Sequence, residues 1–228
     1  AWASGALFGF RHVLGCEDLF WQTALEIEHA LLKGEELYGI SLDFAKAFDR
    51  VPTHIVIALA RHAGLPESVL HPLQGMYTQL KKHFKLGGGA GIGASSSSTN
   101  GVMQGCPLSM VLLNLLMHVW ATLVQMEGGE VRPRAYADDA SATGSTPEHL
   151  KTVFSLTQEF SRLTGMAINV AKSVIWSTST EGRRRLQDVF GTGDDIPKMV
   201  TSERLLGAQL CFTRGSAGFV DVAPRHQA

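Results

Sequence analysis

Apolar residues recur every three to four positions along 17–33. Leu19, Phe20, Thr23, Ile27 and Leu31 share one side, and Gly34 follows as a stop, so this stretch predicts a helix. The period then changes to two. Tyr38, Ile40 and Leu42 alternate with Gly39, Ser41 and Asp43, which predicts a strand over 37–43 with one apolar face and one small, open face. A second helix is predicted over 53–63, started by Thr53 and closed by Gly64 and Pro66. A third, weaker one runs through Leu80 and contains Pro72. Residues 81–86 read as a strand. Residues 87–101, rich in glycine and serine, read as a mobile loop or loose hairpin tip.

The most apolar stretch, 110–126, is interrupted by Asn114, His118, Thr122 and Gln125. A membrane span needs about 20 predominantly apolar residues, so a buried helix over 108–125 is the better reading. Residues 134–143 read as two short strands turning at Asp138 and Asp139. Leu150, Val153, Phe154, Thr157 and Phe160 mark an amphipathic helix over 150–163, opened by Thr146 and Pro147 and closed by Gly165. A strand over 170–176, a short basic helix over 181–190 and a strand pair over 205–212 complete the chain. Trp21, Trp120 and Trp176 sit on apolar periodicity and are expected in the core. The tight turn at 138–139 requires antiparallel pairing. The expected class is therefore α+β, an antiparallel sheet with helices packed on one face.

Composition narrows the function classes. The 228 residues are 45% hydrophobic and 18% charged, enough for a sizeable core and unlike a disordered chain. The net charge is -1, with -4 on residues 1–150 and +3 on 151–228. Nucleic-acid binding must then rest on local patches. Lys81, Lys82 and Lys85 form one and Arg183, Arg184 and Arg185 another, though each reads first as a solvated face. Cys16, Cys106 and Cys211 are few and far apart, which argues against a disulfide framework or a zinc site. The nine histidines lack metal-ligand spacing. The chain opens on Ala1 and is expected to be a piece of a longer protein.

Asp43 ends a strand on its open face, and Asp138 and Asp139 occupy a turn. Alone, the Asp-Asp pair reads equally as a polar turn. If the two elements lie side by side, three carboxylates meet at one sheet edge, and a divalent cation would relieve their repulsion. All-oxygen ligands suit magnesium. Two ions about 3.5–4 Å apart could activate a hydroxyl and stabilise a leaving oxygen.

Ordered blocks sharpen this. Gly9-Phe10-Arg11, then 42–49 (LDFAKAFD), 100–109 (NGVMQGCPLS), 136–139 (YADD), 165–173 (GMAINVAKS) and Leu205-Leu206-Gly207 together resemble the reverse transcriptase domain of non-LTR (LINE-type) retrotransposons, in family order. The resemblance implies a right-hand polymerase palm with partial fingers. Its expected divisions are partial fingers at 1–36, palm at 37–80 and 102–212, a mobile hairpin at 81–101 and a tail at 213–228, with no thumb or endonuclease. It implies that Asp43, Asp138 and Asp139 are catalytic metal ligands, joined by the carbonyl of Phe44. The metals would be two Mg2+ ions, with Mn2+ able to substitute. Lys172 would act near departing pyrophosphate. Phe48 would lie under the nucleotide sugar and exclude a 2′-hydroxyl, which argues against RNA synthesis. Gln104, Gly105 and Arg11 would contact the incoming nucleotide, and Tyr136, Leu206 and Gly207 the primer. The partners implied are an RNA template, a DNA primer and deoxynucleoside triphosphates, with no membrane, in the nucleus. The alternative is an inactive relic or co-opted palm that binds nucleic acid or a protein, since no basic residue follows Gly9-Phe10-Arg11 over His12–Glu17.

Overall fold

The alternating segment becomes the middle strand of a five-stranded sheet. The protein was analysed as a computed structural model that describes residues 4–83, 91–97 and 100–213. In chain order the elements are α1 (Cys16–Lys33), β1 (Tyr38–Asp43), α2 (Ala47–Arg50), α3 (Thr53–His62), α4 (Glu67–Gln79), β2 (Lys81–Lys82), β3 (Ser96–Ser97) and α5 (Pro107–Glu127). There follow β4 (Val131–Tyr136), β5 (Asp139–Gly144), α6 (Pro147–Thr164), β6 (Val174–Ser177), α7 (Thr180–Phe190), β7 (Lys198–Met199), β8 (Ser202–Leu205) and β9 (Ala208–Cys211). The sheet order is β4-β5-β1-β6-β7, antiparallel except for the parallel β6–β7 edge.

Register fixes the two faces. Tyr38, Ile40 and Leu42 pair with Gly144, Ala142 and Ala140. This apolar face is backed by α6 on β1 and β5, by α5 on β4 and by α7 on β6, with α3 packed on α5. Helix α5 is long and apolar enough to cross a membrane. Its Leu112, Leu113, Leu116, Met117, Trp120 and Val124 are nevertheless buried in this core, and Trp120 Nε1 donates to Thr157 Oγ1 of α6 at 2.9 Å. The expected antiparallel sheet backed by helices is thus the observed one.

The second face is not bare. It carries Gly39, Ser41 and Asp43 beside Thr143, Ser141 and Asp139, then Arg132, Arg134 and Tyr136. Helix α1 crosses one end. Its Glu26 accepts from Arg134 Nη2 at 2.8 Å and Thr143 Oγ1 at 2.7 Å, and also pairs with Arg132. Phe8, Leu19, Phe20, Ile27, Trp176, Leu205, Leu210 and Phe212 make a smaller core there. Trp176 stacks on Phe212 with ring centroids 4.2 Å apart and planes 4° from parallel. The indole fills the space beside Gly39, where a Cβ would lie 2.1 Å from it.

Several details depart from the pattern reading. Trp21 is exposed, because α1 buries Leu19, Phe20, Thr23, Ile27 and Ala30, and Trp21 falls off that stripe. The strand expected from residue 170 starts at Val174. Residues 170–173 are a turn instead, with Ser173 bonded back to Asn169 O through both N and Oγ. Residues 6–8 extend the sheet beyond β4, with Phe8 N donating to Ala135 O and Ala135 N to Ala6 O, both at 2.8 Å. The expected strand at 81–86 is described only as the β2 residues, which pair with β3. Lys85, much of the glycine- and serine-rich tract and nearly all of the 213–228 tail lie outside the described residues.

Candidate active site

The second face is left open at one end, where Asp43 and Asp139 sit directly opposite each other on β1 and β5. Cross-strand neighbours have Cα atoms about 4.5–5.5 Å apart. Asp138 lies beside them in the two-residue β4–β5 turn. Ala137, the other turn residue, has φ 54°, an unfavourable backbone state for a residue with a Cβ. Gly9 packs onto this turn so closely that a Cβ there would lie 2.7 Å from Ala137 N. Asn114 Nδ2 of α5 donates to Gly9 O at 2.7 Å and anchors it.

The electrostatics are those of crowded, uncompensated acids. Among the described residues no lysine or arginine pairs with Asp43, Asp138 or Asp139. Burial and the charge of Asp43 raise the pKa of Asp138. Burial, Asp138 and Asp43 together push that of Asp139 up to about 6. Among the described residues no three His, Cys, Asp or Glu side chains close into a ready-made metal cage. Three oxygen-donor acids repelling one another still fit a hard divalent cation whose remaining ligands are waters and substrate phosphates.

The other blocks gather around this end. The 165–173 segment docks on the end of β1. Asn169 N donates to Asp43 O and Ala45 N to Ala167 O, both at 2.7 Å. Phe44 sits between those two bonds, so they do not use its carbonyl, and its ring packs edge-on against Phe160. Ser173 Oγ accepts from Asp43 N at 3.2 Å. Lys172, its neighbour, is exposed on the same turn. Phe48 is half-buried, and its carbonyl accepts from Val102 N at 2.8 Å, tying the 42–49 block to the 100–109 block. Gln104 and Gly105 are exposed before α5, with open space beside Gly105 at φ 86°. Tyr136 pairs with Asp139, and its ring lies 5.9 Å from that of Phe10. Leu206 and Gly207, at φ 49° and 94°, form the tight β8–β9 turn.

Arg11 is not brought to the carboxylates. Its guanidinium donates to Ser4 O at 2.9 Å and Leu7 O at 3.1 Å. The arginines of α7 are likewise engaged locally, Arg183 on Ser177 O, Arg184 on Glu181 and Arg185 on Glu36.

One acid escaped the sequence reading. Glu203 of β8 accepts from Ser41 Oγ at 2.8 Å, on the face that carries Asp43 two residues further along. Burial pushes its pKa up to about 7, the Ser41 bond opposes this, and the charge of Asp139 adds to it. Only its place next to the Leu205-Leu206-Gly207 block hinted at such a position.

Comparison with known proteins bears on the fold and the family. Two Candida telomerase structures share the fold. The truncated apo telomerase of Candida tropicalis has a TM-score of 0.62 at 14% identity, over 90% of this chain and 39% of that one. The telomerase of Candida albicans, solved with a telomeric RNA fragment, has a TM-score of 0.60 at 11% identity, over 90% of this chain and 33% of that one. The Pol polyprotein from type-2 retrotransposable element R2DM of Drosophila melanogaster is 28% identical over 176 residues, 72% of this chain and 16% of that protein. The Pol polyprotein from type-1 retrotransposable element R2 of Popillia japonica is 27% identical over 151 residues, 63% of this chain and 21% of that protein. The chain spans about a fifth of these relatives or less. The reverse transcriptase (RNA-dependent DNA polymerase) family model matches residues 3–207, and the chain belongs to that family.

Proposed function

We propose that the chain is the palm, with part of the fingers, of a retroelement polymerase that extends a DNA primer on an RNA template with deoxynucleoside triphosphates. The observation that carries this is the Asp43–Asp139 pair, in register across β1 and β5, with Asp138 in the adjoining turn. Asp43, Asp138 and Asp139 would hold divalent cations, Mg2+ by preference, with the carbonyl of Phe44 as a further oxygen ligand. When bound, such ions lower the pKa of the attacking 3′-hydroxyl and neutralise charge on the triphosphate.

The chain itself does the positioning. β1 and β5 fix the carboxylates on rigid strands. The half-buried Phe48 ring, tied through its carbonyl to Val102, would stand where a 2′-hydroxyl must pass. Gln104 and Gly105 leave backbone room for a nucleotide. The β8–β9 turn at Leu206–Gly207, on the same face as Asp43, would seat the primer terminus together with Tyr136. Lys172, one residue from the Ser173 that bonds Asp43 N, would meet departing pyrophosphate as a charge partner or acid. This reading sets the protein in the nucleus, where a DNA primer is found.

The test is Mg2+-dependent extension of a DNA primer on an RNA template, run with the wild type and Asp138→Asn. Extension with deoxynucleotides that disappears in Asp138→Asn is the expected result. Extension that survives both Asp138→Asn and Asp43→Asn would remove the carboxylates from the chemistry. A wild type that neither extends nor gains thermal stability from Mg2+, even with flanking sequence restored, would make the chain a non-catalytic palm.

A further inference from the structure

The exposed Gln104 and Gly105 need to be held still, and the loop carrying them has few bonds of its own. On its entry side Gly101 N donates to Val51 O and Val102 N to Phe48 O, both at 2.8 Å. The next amide, Met103 N, donates to the hydroxyl of Tyr77 on α4 at 3.3 Å. That hydroxyl also lies 3.1 Å from Ser109 Oγ in the first turn of α5. Tyr77 and Ser109 are both buried. An amide N–H can only donate, so Tyr77 Oη accepts from Met103 and shares a second hydrogen bond with Ser109 Oγ. One buried hydroxyl therefore bridges Met103 and Ser109, on either side of residues 104–108.

The geometry points to Tyr77 as a positioning residue for the incoming nucleotide, acting through the Gln104–Gly105 loop; this rests on the polymerase reading above. If only packing were needed, a phenylalanine ring would fill the same space. The hydroxyl is committed to the loop at both of its bonds. A cleft of about 420 Å3 opens beside it, lined by Thr53, Ile57, Gln74, Tyr77 and Ser97. Without the bridge the Met103 amide loses its partner and the loop loses its fixed height. The residue touches no reacting atom, so it should act on nucleotide binding and leave the chemical step alone.

Two measurements on Tyr77→Phe separate this from a general structural role. In single-nucleotide incorporation, the KM for deoxynucleotide should rise about tenfold, the scale of one buried hydrogen bond. The kcat and the Kd for primer–template should stay within about twofold, since neither depends on this bridge. In amide exchange, Met103 should exchange faster while the buried turns of α4 and α5 keep their protection. Ser109→Ala, which keeps the Met103 bond, should raise KM by less. An unchanged KM, or a fall in kcat, nucleotide affinity and thermal stability together, overturns the assignment. If the wild type neither extends a primer nor gains thermal stability from Mg2+, even with flanking sequence restored, the polymerase reading has failed. Amide exchange then decides alone, and unchanged exchange at Met103 overturns the bridge.

Discussion

Asp43 and Asp139 face each other in register across the β1–β5 ladder, with no cation from the described residues between them. Like charges directly opposite on one sheet face destabilise it. The fold therefore carries an electrostatic cost that a divalent cation would relieve. Asp139→Asn should raise the melting temperature of the metal-free protein at pH 8 while abolishing extension, and added Mg2+ should stabilise the wild type more than the variant. A thermal melt of both proteins with and without Mg2+ checks this. A variant less stable than the wild type in the absence of metal would show that Asp139 is held by contacts rather than strained by charge.

The same repulsion has a pH signature. Asp139 is pushed up to about 6 from 3.8, and Glu203 to about 7 from 4.5. Raised acids bind protons more tightly in the folded chain than in the unfolded one. Their contribution is full below the unfolded values and is lost as pH rises through the folded ones. Metal-free stability should thus decline between about pH 5 and pH 8. The acids that arginines hold low, Glu67, Glu159 and Glu181, complete their titration below that window. The double variant Asp139→Asn with Glu203→Gln should flatten the profile, because an amide can still accept from Ser41. Equilibrium unfolding across the pH range is the measurement, and a rise in stability from pH 5 to pH 8 would contradict it.

Sugar selection should rest on Phe48. Its ring packs at the edge of the main core, and its carbonyl is bonded to Val102, so the side chain can be trimmed without cutting that backbone tie. Phe48→Ala should lower discrimination against ribonucleotides by about 100-fold, the scale on which a shaped pocket separates substrates differing by one small group. Single-nucleotide incorporation with matched deoxy- and ribonucleotides reads this directly. Unchanged selection in an active variant would place the gate elsewhere.

How much of this could be read from the chain depends on the kind of signal each residue leaves. Period-two alternation with small residues beside Asp43 marked β1 and its open face, and Thr146, Pro147 and Gly165 bracket α6 as expected. Asp138 was legible because a turn between paired strands constrains residue type, but the turn falls one residue earlier than expected, at Ala137 and Asp138, and Asp139 is the first residue of β5. Trp21 misled because helical periodicity tells which residues share a face and not how wide the buried stripe will be. Glu203 left only its place beside the Leu205-Leu206-Gly207 block, and Tyr77 left no signal. Their positions matter through partners 162 and 32 residues away in sequence, Ser41 and Ser109, and long-range hydrogen bonds have no periodicity. Residues 170–173 looked like a strand because Val170 and Val174 are apolar. The amides of Lys172 and Ser173 bond back to Asn169 O instead, and the segment meets the sheet through Ser173 O, which accepts from Lys198 N of β7.

Gly9 gives the sharpest test of how far the chain before α1 supports the site. Its carbonyl is fixed by Asn114, and its Cα faces the backbone of the turn that carries Asp138. A methyl group in Gly9→Ala meets Ala137 N at 2.7 Å, and a backbone atom cannot swing aside as a flexible side chain would. Either the 6–8 edge lifts from β4 or the turn moves. Overpacking of this kind costs about 1–3 kcal/mol, and a displacement of about 1 Å at a reacting group can lower rates about 100-fold. Gly9→Ala should therefore lose far more activity than its modest fall in melting temperature accounts for, whereas Gly39→Ala, which strikes the Trp176 ring away from the carboxylates, should lose stability first. Comparing kcat with melting temperature for the two variants separates them. If both lose activity only in proportion to stability, Gly9 is a packing residue and the turn is set by β4 and β5 alone.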